Sequence, residues 1–389
     1  MYNMKKIYLP NYKDGSIVNL MASIEKALGG KPLYKTLKHL KPGELKRFTN
    51  IVLIVIDGLG YEYLVRKGQG SYFKKYLRAH MTSTFPSTTA AGITTFNTGV
   101  APQQHAITGW FTWLKELGAV FTILPFTPRC SSSSSRTINP KVIFDYSTID
   151  SRIKATSYKI YPKKIISSDY TVSNKKGANI IPYSSQSGLF KAIEKTARSG
   201  RKKKFIDAYW PGFDTECHHH SPKSKNALHH FKNLDKSLGL FIKSMQGTDS
   251  VIIITADHGQ IDTPVSSRIN LKHHPKLAET LALPLCGESR LTYCYVHPSK
   301  AKQFEEYVMT KLKKYCWMFK SEDLIRRKWF GLFKPNDKLA DRVGDYTLVM
   351  KKDYSLKDFL ITEKEHFNLG SHGGVSKEEM LVPLIVIKP

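Results

Sequence analysis

Six residues of this chain have side chains suited to holding metal ions: Asp57, Asp214, His218, Asp257, His258 and His372. They occur in the short runs "VIDGLG", "DTECH", "TADHG" and "SHGG". Carboxylate and imidazole are suitable ligands for Zn²⁺ and related divalent ions. Six such groups are too many for one tetrahedral zinc. They suit two ions about 3.5–4 Å apart, an arrangement that serves in-line phosphoryl transfer. Each run taken alone has a plainer reading. An Asp after a strand is often a helix cap, a lone "DHG" is more often a turn, and the "HHH" at 218–220 can be a surface tract with incidental metal affinity. The combination is harder to dismiss, because nearly all the pieces fall at the ends of predicted strands.

A second run raises the question of a nucleophile. In "STFPSTTAAGITTFNTG", Ser83 to Gly99, eight of seventeen residues carry a hydroxyl. Alone it reads as a polar turn running into a helix. Beside a metal centre, one of those hydroxyls could attack phosphorus.

Strands and helices must bring these groups together. "NIVLIVIDGLG" reads as a buried parallel strand, Ile51 to Ile56, ending in Asp57. "SVIIITADHGQ" repeats the design before Asp257 and His258, "KFIDAYWPGFD" supplies a third strand before Asp214, and "EMLVPLIVIKP" a fourth. Helical patterns lie between them, at Gly188 to Ala197 and Ala227 to Met245. The alternation predicts an α/β fold, a mostly parallel sheet sandwiched by helices. Ligands bind beyond the carboxyl ends of such strands, where the acids and histidines fall. Residues 1–45 are expected as an N-terminal extension on a catalytic domain of 46–389. An inserted, smaller α+β cap is expected at about 275–365. The stretch Phe111 to Ser187, with its "CSSSSSR" run at Cys130 to Arg136, predicts loops and short strands.

Composition narrows the function classes. The net charge of +28 implies attraction to polyanions, yet neither "RKKK" at 201–204 nor "RRKW" at 326–329 lies in a nucleic-acid-binding motif. Non-specific polyanion binding by a lysine-rich surface is the expectation. No apolar run approaches the roughly 20 residues of a membrane span. The start, "MYNMKKIYLPNYKDGS", lacks the apolar core of a secretory signal. Five widely spaced cysteines argue against a disulfide framework. A cytoplasmic location is the default expectation, with signal-independent export as the alternative.

The runs "VIDGLG", "FPSTTAAGITTFNTGVAPQQHAITGW", "DTECH", "TADHG" and "SHGG" occur in the order found in the alkaline phosphatase superfamily. The chain resembles its type I phosphodiesterase/nucleotide pyrophosphatase branch from about residue 50 to the end. The resemblance implies that Asp214, His218 and His372 hold one divalent ion. It implies that Asp57, Asp257 and His258 hold the other, together with a nucleophilic threonine. The family run, roughly Phe-Pro-Thr-Lys-Thr before a helix, matches Phe85-Pro86-Ser87-Thr88-Thr89, and Thr98-Gly99 falls at the matching distance. Thr89 is therefore the expected nucleophile, with Thr84 the other choice. Ala90, Ala91 and Gly92 would let a phosphate approach the backbone at a helix N-terminus. A metal-bound hydroxyl ionises near neutral pH, so a phospho-threonine intermediate is implied. Zn²⁺ is the expected ion and Mn²⁺ the alternative, since both accept Asp and His.

In one respect the chain departs from the family. Where nucleotide pyrophosphatases carry a phosphate-binding asparagine, this chain has Trp110. Trp110 and Phe111 are the expected walls of a substrate pocket. From Thr82 to Phe111 there is no Arg or Lys, which favours a phosphodiester or nucleotide-like substrate over a dianionic monoester. The alternatives are a phosphomonoesterase or phosphomutase-like enzyme on the same scaffold. From another class, the alternative is a basic module that binds nucleic acid or anionic membranes.

Overall fold

The computed structural model describes residues 7–130 and 140–389. Most of the "CSSSSSR" run, Arg136 included, lies outside the described residues. The apolar runs form the centre of a seven-stranded sheet ordered Leu77–Thr82, Leu381–Ile387, Ser250–Thr255, Asn50–Ile56, Lys204–Trp210, Thr156–Pro162, Ala178–Tyr183. Asn50–Ile56 and Ser250–Thr255 are buried at every residue, as strands covered on both faces must be. All the strands run parallel except Leu381–Ile387, which is antiparallel to both its neighbours.

Two amphipathic helices cover one face. Lys225–Ser244 buries Ala227, Phe231, Leu234, Leu238 and Phe241 at helical spacing, and the Ser224 hydroxyl caps it by accepting from the Ala227 N–H. Gln186–Arg198 buries Leu189, Phe190 and Ile193 and is capped by Ser185 in the same way. The helix Ile17–Ala27 packs on Thr89–Thr98 and joins the main core. Among the described residues no helix is long and apolar enough to cross a membrane.

The stretch from Phe111 to Ser187 departs from expectation, because it contributes two full strands to the central sheet, Thr156–Pro162 and Ala178–Tyr183. A lysine masks the first of them. Lys159 is buried in mid-strand, its charge met by Asp150 at 3.0 Å and Asp207 at 3.1 Å. Such pairing is what allows a buried ammonium, and it cannot be read from the strand's own residues.

A second seven-stranded sheet is antiparallel at every pairing. Its order is Cys316–Lys320, Tyr346–Met350, Leu291–Cys294, Cys286–Glu288, Phe111–Leu114, Ala119–Thr122, Thr127–Pro128. Phe111 to Pro128 thus shares a sheet with strands drawn from 286–350, joined where Gly287 pairs with Phe111. The five cysteines are free.

Candidate active site

Parallel strands end on the same edge, and this brings the acids and histidines together. Asp57 follows Asn50–Ile56, with its N–H on the Trp210 carbonyl at 2.9 Å. Asp257 and His258 follow Ser250–Thr255. Asp214 and His218 lie on the helix Gly212–His220 after Lys204–Trp210, one turn apart and so on one face. His372 follows Gly370–Ser371, which pairs with Ile261–Asp262.

The groups meet at close range. The His258 Nε2 is 3.3 Å from an Asp57 oxygen and 3.5 Å from an Asp257 oxygen. The His372 ring stacks on His258 with centroids 3.7 Å apart. His218 Nε2 lies 3.0 Å from Asp214 Oδ2, and His372 Nε2 lies 3.9 Å from Asp214 Oδ1. Two three-residue sets have donor atoms all within 4.8 Å of one another: Asp57, Asp257 and His258, and Asp214, His258 and His372. His218 adjoins the second set through Asp214.

Around them, neighbouring groups orient the ligand candidates. Asp257 Oδ1 accepts from the N–H groups of Gly58 and His258. The Tyr209 hydroxyl donates to Asp57 Oδ2, and Gln260 Nε2 donates to Asp214 Oδ1. His218 Nδ1 sits 2.7 Å from the Gly370 carbonyl oxygen. Burial, with Asp257 and Asp214 close by, drives the Asp57 carboxyl well above the usual range. Burial likewise raises Asp257. At Asp214 burial is opposed, and the histidines hold it below its ordinary value. His218 is also opposed by burial, yet Asp214 lifts it to about 9. Asp57 Oδ1, Asp257 Oδ2 and His372 Nδ1 are buried without a hydrogen-bond partner. Buried charges are paired or coordinate metals, so a buried cluster of carboxylates and imidazoles with orphaned donor atoms fits divalent ions.

The geometry distinguishes among the hydroxyls of Ser83 to Gly99. Ser83 donates to the Asp257 carbonyl, Thr84 to the Pro86 carbonyl at 3.0 Å, and Ser87 to the Gly374 carbonyl at 2.8 Å. Thr88 donates to Glu288. Thr89, first residue of the helix Thr89–Thr98, puts its Oγ1 3.1 Å from His258 Nε2. Of the hydroxyls from Ser83 to Thr89, it is the one bonded to a side chain of the candidate metal-binding cluster. Gly92 serves packing rather than phosphate access, because a Cβ there would lie 2.7 Å from the Asp257 Cβ.

A cavity of about 340 Å³ opens on Thr89, and Trp110, Phe111, Glu288, Lys357 and Phe367 help to line it. Trp113, two residues on from Phe111, packs edge-on against Tyr295 in the second core. Arg129 is buried behind the wall, 4.1 Å over the Phe111 ring, and is tied to Asp358 and Glu363. Sequence reasoning missed Gln260, Tyr209, Glu288 and Lys357. Gln260 directly follows "DHG" and Tyr209 lies on a recognised strand, so both were findable by position. Glu288 and Lys357 belong to no motif and carry no such signal.

Comparison with known proteins identifies the fold and the family. Among curated proteins none matches the sequence. The fold is similar to that of murine ectonucleotide pyrophosphatase/phosphodiesterase 5, with a TM-score of 0.66 and 18% identity over 87% of this chain and 88% of that one. An inactive variant of the murine protein in complex with AMP gives 0.65, at 18% identity over 86% and 87% of the two chains. Phosphonoacetate hydrolase from Sinorhizobium meliloti in complex with phosphonoformate gives 0.64, at 17% identity over 86% and 89%. The sequence profile of the type I phosphodiesterase/nucleotide pyrophosphatase family matches residues 51–374. The chain therefore belongs to the type I phosphodiesterase/nucleotide pyrophosphatase family of the alkaline phosphatase superfamily, metal-dependent hydrolases of phosphoric ester bonds.

Proposed function

We propose that this protein is a phosphodiesterase acting on a nucleotide-like ester through Thr89 and two divalent ions, Zn²⁺ before Mn²⁺. In this reading Asp214, His218 and His372 hold one ion, and Asp57, Asp257, His258 and Thr89 hold the other. The observation that carries it is the Thr89 hydroxyl, set at a helix N-terminus against a cluster that offers three orphaned donor atoms. When bound, the ions would acidify the threonine hydroxyl and offset charge on the phosphoryl oxygens. Thr89 Oγ attacks phosphorus, the phosphorus–oxygen bond to the leaving group breaks, and that oxygen departs with the electron pair. Water then cleaves the phospho-threonine bond and restores the hydroxyl. The N–H groups of the helix's first turn, left without intrahelical acceptors, face the phosphate. Trp110, about one-third exposed at 36%, and Phe111 offer ring faces to an organic ester group.

A second reading, a phosphomonoesterase, draws support from Lys357, a cation lining the cavity. Its ammonium is bound to the His366 carbonyl at 2.9 Å and lies over the Phe359 ring, so it is engaged at the rim. The test compares bis-(p-nitrophenyl) phosphate with p-nitrophenyl phosphate after exhaustive chelation and reloading with Zn²⁺ or Mn²⁺. Activity should vanish with the metal, return with either ion, and favour the diester in kcat/KM. A monoester preference of about tenfold, some 1.4 kcal/mol, would promote the second reading, and full activity after chelation would defeat both.

A further inference from the structure

We propose that Glu288 sets the preference of this site for a monoanionic diester over a dianionic monoester, an inference that rests on the phosphodiesterase reading. Glu288 ends the strand Cys286–Glu288 of the second sheet and lines the cavity beside Thr88, Thr89 and His372. Its Oε1 accepts from the Trp110 N–H at 2.8 Å and from the Thr88 hydroxyl. Both bonds are accepted, which suits an ionised carboxylate. The chain makes room for it at Gly373, next to His372. The backbone there has φ +110°, and a Cβ would lie 2.7 Å from the Glu288 Cβ.

What singles Glu288 out is how its charge is met. Outside the metal-ligand candidates, several deeply placed carboxylates of this protein are ion-paired: Glu379 with Arg290, Asp207 with Lys159, Asp358 with Arg129, and Glu25 with Arg152. Glu288 instead shares its cavity with Lys357, whose charge it meets through the open space of the site. Glu288 is half-buried at the cavity wall, and the positive charge it meets there is that of Lys357 and, when bound, of the two ions. Two divalent cations against Asp57, Asp214 and Asp257 leave a small positive excess, and an ionised Thr89 cancels it. Glu288 then offsets the charge of Lys357, the cation of the same cavity, and leaves the site without net positive charge for a second phosphate charge. A diester brings one negative charge to the site and a monoester close to two, so the Glu288 carboxylate repels the monoester more. The organic group of a diester would also meet the Trp110 and Phe111 side of the cavity.

E288Q preserves the shape and the acceptor oxygen while removing the charge, and E288A removes it by truncation. The experiment measures kcat/KM for bis-(p-nitrophenyl) phosphate and p-nitrophenyl phosphate on the zinc-loaded wild type and both variants, with inhibition by inorganic phosphate alongside. The diester-to-monoester ratio should fall at least about tenfold in both variants, with inorganic phosphate inhibiting correspondingly more tightly. A merely structural role would change both substrates by the same factor and leave phosphate inhibition unmoved, which would overturn the proposal. A ratio that rises would also overturn it, since Glu288 would then be contacting the diester favourably. A wild type that hydrolyses neither substrate would instead bring down the phosphodiesterase reading, and this inference with it.

Discussion

The two halves of the active site are built in opposite ways. The candidate metal-binding edge comes from the central sheet, where Asp57, Asp257 and His258 directly follow strands and Asp214 and His218 lie on the helix after a third. Parallel pairing of Asn50–Ile56 with its two neighbours is enough to align Asp57, Asp214 and Asp257. The facing wall comes from the second sheet, where Phe111 and Glu288 are far apart in sequence and meet through the Gly287–Phe111 pairing. A chemistry-bearing edge can thus be written in short local runs, whereas a specificity-bearing wall depends on long-range strand pairing. The seam between them is closed by Arg290, in the turn between Cys286–Glu288 and Leu291–Cys294 of the second sheet. It forms a buried two-point ion pair with Glu379 at 3.0 and 2.9 Å, and Glu379 also accepts from the Gly374 N–H beside His372.

The sharpest break of this comparison is at the edge itself. Thr89→Ala should lose turnover by roughly 10³-fold or more, the scale seen when a nucleophile is removed. It should keep its metal, because the other ligands remain, and metal analysis beside steady-state kinetics checks both points. Thr84→Ala and Thr88→Ala should be milder. A dead Thr84→Ala with an active Thr89→Ala would transfer the nucleophile to Thr84.

The seam comes next. Arg290→Met leaves the Glu379 carboxylate buried and unpaired, and thermal or denaturant unfolding should show a loss of about 3–5 kcal/mol. Burial works against the Glu379 charge, but Arg290 holds its carboxyl below the ordinary value. Its contribution is therefore complete above the unfolded value of about 4.3 and is lost as pH falls through the lower folded value. A variant as stable as the wild type at pH 7 would mean that the two sheets do not depend on this pair.

A smaller effect should follow at Gln260, which donates to both the side chain and the carbonyl of Asp214. Gln260→Ala should weaken metal binding by about tenfold, as loss of a ligand's supporting hydrogen bond commonly does. Titration against a competing chelator reads this without any turnover assay. An unchanged affinity would show that Asp214 needs no such support.

The smallest effect concerns the surface. Lys26, Lys31, Lys35, Lys38 and Lys41 line an open groove of about 540 Å³ on the N-terminal segment. Duplex DNA should bind weakly, without sequence preference, and fall off steeply with salt. Tight, sequence-selective binding at physiological salt would put the basic surface ahead of the hydrolytic site.

Much of the edge was legible because apolar strand runs and the polar residues that end them are local signals. The runs around Asp57 and Asp257 announced both strand and ligand candidate at once. Thr156–Pro162 was not legible, because Lys159 interrupts its apolar pattern and is neutralised by acids from elsewhere in the chain. The wall was legible only in Trp110 and Phe111, which adjoin a recognised run. Lys357 and Glu288 sit in strands and loops with no pattern of their own.

By itself, then, the sequence determined the α/β core, its family and the set of groups able to hold metal, since those follow from hydrophobic periodicity and residue type at strand ends. The family resemblance pointed to Thr89, but only the tertiary structure decided how its hydroxyl comes to face the cluster. The turns of Ser83 to Thr89 direct neighbouring hydroxyls to different partners, and those partners lie as much as 287 residues away in sequence. It also decided that a half-buried carboxylate stands beside Thr89, because the position of Glu288 comes from one cross-strand pairing and from the space left at one glycine.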